Sequence, residues 1–158
     1  MKRSMIVGLA AAVILAGSIS VVTAGPLEDT VKARQSYYQV VSSNSGPLFA
    51  MLKGTAPYDA KVAQTHADNL KLLTEMKNGH FWPKGSDNTN PELKGKTRAL
   101  PAIWADGSDV RAKGAAWGKA VAELAAVAGA GKEAMVEKMK LVGAACSACH
   151  KEYRAKDF

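Results

Sequence analysis

Cys146, Cys149 and His150 stand in the spacing C-x-x-C-H near the C-terminus. Two such thiols can form thioethers to the vinyl groups of a haem, and the adjacent imidazole can bind its iron. On a helix, positions i, i+3 and i+4 share one face. The three side chains therefore point the same way, as one porphyrin edge and its iron require. A bare C-x-x-C also occurs in dithiol redox sites and in zinc sites. The redox reading expects the pair at a helix N-terminus in a βαβ setting, whereas here it follows an Ala-rich helical stretch with no strand pattern nearby. A structural zinc site takes about four ligands, and the chain has two cysteines. Covalent haem attachment is the expected chemistry.

Only eight residues follow His150, so any second iron ligand must come from upstream. The candidates are His66, His80, Met51, Met76, Met135 and Met139. Met135 and Met139 share the helix that carries the haem motif and so lie on the wrong side of the iron. Met51 and Met76 lie near helix ends, where core or rim packing is the commoner role of Met. His66 sits mid-helix among polar residues, and His80 lies in a long connection beside Phe81 and Trp82.

The ends and the composition bound the rest. Lys2 and Arg3 precede an apolar run, Met5 to Leu15, and Val22-Thr23-Ala24 offers small residues before Gly25. This is the pattern of a secretory leader, residues 1–24, removed by cleavage. Gly8, Gly17, Ser18 and Ser20 interrupt it before a span of about 20 apolar residues is reached. No membrane span is expected in residues 25–158, which read as one domain. Export to the periplasm agrees with covalent haem attachment, which occurs outside the bacterial inner membrane, and thioether formation consumes both cysteines in that oxidising compartment. Cleavage also removes two of the positive charges that make the formal net charge +7. The remainder is spread along the chain with no basic run beside aromatic residues, so no nucleic-acid partner is expected. A weak attraction to acidic redox partner proteins is compatible with it.

Four helical stretches carry these residues, with no alternation of period two. The first opens at Pro26 with Glu28 and Asp29 in its first turn. Leu27, Val31, Tyr38 and Val41 lie near one face, and Pro47 is expected to end or kink it, with a short helical piece from Leu48 to Lys53 beyond. Pro57 opens the second, which Asn78-Gly79 stops. The connection from His80 to Leu100 is rich in Gly, Pro, Asn and Lys, and connections this long usually serve a function or cross the body of a domain. The third helix starts at Pro101, with a possible break at Asp106-Gly107-Ser108, and runs to about Val127. The fourth runs from about Lys132 to Arg154. Four helices of this length pack naturally as an antiparallel bundle, all-α.

Several stretches resemble the class II c-type cytochromes, the cytochrome c′ family, across the whole of residues 25–158. Val31-Lys32-Ala33-Arg34-Gln35-Ser36 resembles the first-helix segment whose Arg and Gln lie beside the haem propionates. Gly54-Thr55-Ala56-Pro57-Tyr58-Asp59 resembles the family's start to the second helix. Thr97-Arg98-Ala99-Leu100-Pro101-Ala102-Ile103-Trp104 resembles its entry to the third, which also contacts the haem. Cys146 to Arg154 resembles the C-terminal block. The resemblance implies the up-down-up-down topology of a four-helix bundle, one haem c on two thioethers and His150 as the iron's protein ligand. It also implies a bulky side chain over the other face of a five-coordinate, high-spin iron.

That position, one turn after Arg34, is Tyr38, with Tyr37 the alternative if the helix is rotated by one residue. Arg154 lies one turn beyond His150, where a guanidinium could approach the proximal face. The resemblance further implies a homodimer through the first two helices and binding of NO and, more weakly, CO, beside single-electron transfer. A low-spin electron carrier of the same fold, with a sixth ligand from the protein, is the alternative. An enzyme is not expected, because no distal His and Arg pair stands ready to cleave peroxide.

Overall fold

The computed structural model describes residues 25–158, and the leader expected at residues 1–24 lies outside the described residues. Four α-helices run in chain order: α1, Pro26–Lys53; α2, Ala60–Glu75; α3, Val110–Ala125; and α4, Lys132–Tyr153. Among the described residues there is no strand, only an isolated antiparallel bridge between Ala99 and Arg154. Each helix packs on its sequence neighbour, and α1 closes the ring against α4, giving the up-down-up-down four-helix bundle. No described helix is long and apolar enough to cross a membrane.

α1 continues past Pro47, where the sequence predicts an end or a kink. The missing N–H and the ring clash cost about 3 kcal/mol in a helix interior. The turn beyond offsets this: Leu48 is fully buried and Met51 nearly so, each burial contributing about 1.5–3 kcal/mol. α1 ends where Gly54 adopts φ 73°. Thr55 N–H donates to the Ala50 carbonyl at 2.9 Å, a glycine-terminated cap that returns the chain toward α2.

α2 starts at Ala60 rather than at Pro57, because the Asp59 side chain accepts from Val62 N–H at 2.9 Å and caps it. Pro101 opens only a 3-10 turn, Pro101–Trp104, and α3 starts at Val110. Ala63, Ala67 and Leu70 of α2 are fully buried, as are Val121 and Leu124 of α3 and Met135 and Met139 of α4. The connection between α2 and α3 carries two more 3-10 turns, Gly79–Phe81 and Pro91–Leu93, and runs along α1 and past the end of α4.

Candidate haem site

The last turns of α4 present Cys146, Cys149 and His150 on one side of the helix. Both cysteines are free thiols and half-buried, and burial pushes both thiols above their ordinary value. His150 is exposed. Its Nδ1 lies 3.3 Å from an Arg154 guanidinium nitrogen. Desolvation, then the nearby Arg98 cation, hold the imidazole below its ordinary pKa, and so in the neutral form that binds a metal.

This end of α4 is tied down on two sides. Leu100 N–H donates to the Tyr153 carbonyl at 3.0 Å, and Ala155 N–H donates to the Arg98 carbonyl at 2.8 Å. The buried Tyr153 hydroxyl donates to the Asp109 carboxylate and accepts from Asp109 N–H at 3.1 Å, joining the start of α3 to the end of α4. Lys113 pairs with Asp109 at 3.1 Å and with Glu152 at 3.0 Å across the same junction.

α1 faces these residues from the other side. Tyr38 is 43% exposed, yet its phenol lies low between neighbouring groups. Burial first, then Tyr37 and potential charge on Cys149 and Cys146, push its pKa to about 12 while Arg34 opposes the shift. The phenol therefore lies within electrostatic reach of the cysteine pair and stays protonated. Tyr37 does something different. It is 6% exposed and its hydroxyl donates to the Leu73 carbonyl at 2.8 Å. The core stripe of α1 runs through Val31, Tyr37 and Val41, so the place the periodicity offers to Tyr38 belongs to Tyr37.

Arg34 is 4% exposed. Its terminal nitrogens donate to the Phe81 carbonyl at 3.3 Å, the Ser86 hydroxyl at 3.1 Å, the Ser86 carbonyl at 2.9 Å and the Thr97 hydroxyl at 2.8 Å. The guanidinium carbon also sits 4.4 Å from the Trp82 ring centre. Gln35 is exposed and donates to the Lys96 carbonyl at 2.7 Å. Arg98 is half-buried beside His150, donates to the Lys156 carbonyl at 3.3 Å and covers the Phe158 ring. The resemblance-derived residues thus gather at one end of the bundle. Trp82, Ser86 and Asp109, the partner of Tyr153, join them without an expected role. The one sequence signal for the first two was the length of the connection that holds them.

The six residues weighed as second iron ligands sit in other surroundings. Met51, Met135 and Met139 are buried in the core. His66 Nδ1 is 3.1 Å from Asn44 Oδ1 between α1 and α2. Met76 is exposed at the end of α2, and the His80 ring rests against Phe81 with centres 4.3 Å apart.

The donor set fits a haem. Two thiols and a neutral imidazole lie on one helix face, with an uncharged aromatic opposite. Among the described residues, Arg34 has neutral acceptors and no carboxylate partner. A buried cation lacking counter-charge is costly, and the carboxylate side chains of a haem supply that charge. Fold and site together define a c-type cytochrome built on a four-helix bundle.

The comparisons narrow this. The profile of the family described as Cytochrome C′ matches residues 29–154. The chain is 37% identical over 145 residues to the cytochrome c′ of Cereibacter sphaeroides, covering 92% of this chain and 95% of that protein. It is similar to the solved cytochrome c′ from Rhodobacter spheriodes, with TM-score 0.79, 39% identity and coverage of 84% and 99%. It is also similar to a ferrous variant of cytochrome c′ from Alcaligenes xylosoxidans solved with bound NO, with TM-score 0.69, 32% identity and coverage of 83% and 97%. The chain belongs to the cytochrome c′ family, and its cofactor is a covalently attached haem c.

Proposed function

We propose that this chain is an exported monohaem cytochrome c′ whose iron is bound by His150, is five-coordinate and high-spin, and takes up NO and, more weakly, CO. The observation that carries this reading is Tyr38, one turn after Arg34, packed against Tyr37 and Trp82 and within electrostatic reach of the cysteine pair. With a pKa pushed to about 12 it remains a neutral phenol, which is a poor iron ligand. It fills the space without coordinating. Bound haem c supplies an iron that accepts diatomic gases and exchanges single electrons. The chain's own residues attach it, hold the proximal imidazole neutral and crowd the opposite face. The NO-bound Alcaligenes xylosoxidans relative supports the choice of ligand.

The site is one for binding and electron transfer, without turnover of its own. Redox partner proteins exchange electrons with it in the periplasm after residues 1–24 are removed. Optical and EPR spectra of the oxidised and reduced protein, with and without NO, test the coordination. Low-spin spectra would establish the six-coordinate alternative instead. Assays with peroxide and with NO as substrates test the absence of turnover.

A homodimer through α1 and α2 forms part of this reading. Val40 on α1 and Val62, Leu72 and Met76 on α2 are exposed apolar side chains. The Asn44 side chain links the same two helices through His66 and Asn69. Sedimentation at micromolar concentration should show a dimer, and a strictly monomeric species contradicts it.

A further inference from the structure

We propose that Arg34 is a positioning residue for the gas site: it clasps the α2–α3 connection onto α1 and, through Trp82, holds the wall against which Tyr38 rests. This rests on the reading above that Tyr38 covers the iron.

The hydrogen bonds carry the first half. All four polar contacts of the terminal nitrogens go to one connection, at Phe81, Ser86 and Thr97. These acceptors are distant in sequence from one another, so a single buried guanidinium closes the connection around itself. Ser86 and Thr97 are buried with it. Each is further held in place: the Ser86 hydroxyl donates to the Pro83 carbonyl at 2.8 Å, and the Thr97 hydroxyl accepts from Ala99 N–H at 3.2 Å. Hydrogen bonds from a charged donor are among the strong ones. These bonds engage both terminal nitrogens and leave Nε–H and the charge for a haem carboxylate.

Ring stacking carries the second half. Trp82 lies against the guanidinium on one side. Its ring centre is 6.3 Å from that of Tyr38, edge to face, and 6.4 Å from that of Trp104, whose indole N–H donates to the Trp82 carbonyl at 3.0 Å. The Tyr37 ring, 5.1 Å away and itself in the core, also packs on Tyr38. Tyr38 is thus bounded by a core residue and by Trp82. To swing aside for a ligand it must push Trp82, and Trp82 is held by Arg34. The clasp sets the stiffness of the gate from a position that does not itself face the cysteines.

The test combines two measurements on the haem-loaded protein. Flash photolysis gives the CO association rate, and hydrogen exchange reports the amides of residues 82–97. The variants are Arg34→Lys, which keeps the charge and loses the fork, Thr97→Val, which removes one acceptor at constant shape, and Tyr38→Ala. Arg34→Lys and Thr97→Val should speed exchange in the connection and raise the CO rate about three- to tenfold, the equivalent of losing one or two hydrogen bonds. If Arg34→Lys fails to accumulate with haem, Thr97→Val decides alone.

Faster exchange with a CO rate unchanged within about twofold, while Tyr38→Ala still raises it, would show that Arg34 is merely structural and leave the distal reading intact. Unchanged exchange overturns the clasp itself. A Tyr38→Ala protein that binds CO no faster than the wild type removes the covering role of Tyr38, and the proposal falls with it.

Discussion

Tyr37 and Tyr38 are neighbours in sequence with ring centres 5.1 Å apart at 81°, yet they belong to different parts of the protein. Tyr37 faces the bundle core and is bonded to α2, whereas Tyr38 packs edge to face on Trp82, within electrostatic reach of the cysteines of α4. Their substitutions should separate cleanly. Tyr38→Ala should raise CO affinity strongly and NO affinity less, with little loss of stability. Relief of about 2.8 kcal/mol of crowding corresponds to about a hundredfold in affinity. Tyr37→Ala should instead destabilise the fold by about 3 kcal/mol or more, without opening the gas site. CO titration and urea unfolding of both variants measure this. A CO gain in Tyr37→Ala alone would mean that the register of α1 has been misread.

Covalent attachment is expected to depend on both cysteines. Cys146→Ala and Cys149→Ala should each weaken it, and the double variant should abolish it. Haem staining of a denaturing gel is the measurement, and a double variant that kept its stain would refute thioether attachment.

The junction of α3 with α4 should be sensitive to acid. The hydrogen bond from Tyr153, then that from Lys113, lower the Asp109 carboxyl from its ordinary value of 3.8. A carboxylate depressed in the folded state stabilises fully above its unfolded pKa and loses that contribution as pH falls through the folded value. Lys113 is raised, by Glu152 first and Asp109 second, and contributes in the opposite sense, fading as pH rises through its folded value above 10.5. Asp109→Asn should therefore flatten the loss of stability below about pH 4. Urea midpoints across that range, for wild type and variant, check it. Equal acid dependence in both would show that Asp109 makes no linkage contribution.

Pro47 should be replaceable with profit. The helix already continues through it, so Pro47→Ala restores an N–H for the Ser43 carbonyl and should stabilise by about 1–3 kcal/mol. Thermal unfolding would show a higher midpoint. A lower one would mean that the proline is compensated by packing that alanine cannot replace.

The amino-acid sequence by itself determined the chemistry. C-x-x-C-H needs only helical periodicity to bring two thiols and an imidazole to one face, and that requirement is local. The four helices and the long connection were legible for the same reason: apolar periodicity, prolines at helix starts and glycines at stops act within a few residues. Arg34, Gln35, Tyr38, Thr97, Arg98 and Arg154 became legible as a site only through resemblance to a family, because nothing in their spacing joins them.

Tertiary structure decided the rest. It carried α1 through Pro47, since burial of Leu48 and Met51 outweighs a local penalty. It chose Tyr37 over Tyr38 for the core, a one-residue rotation that a loose apolar stripe does not resolve. It also placed Arg34 at the centre of a buried clasp. The acceptors of that clasp lie 47 to 63 residues away along the chain. A hydrogen bond between such distant residues leaves no periodic trace, because its partners meet only once the connection has folded back over α1.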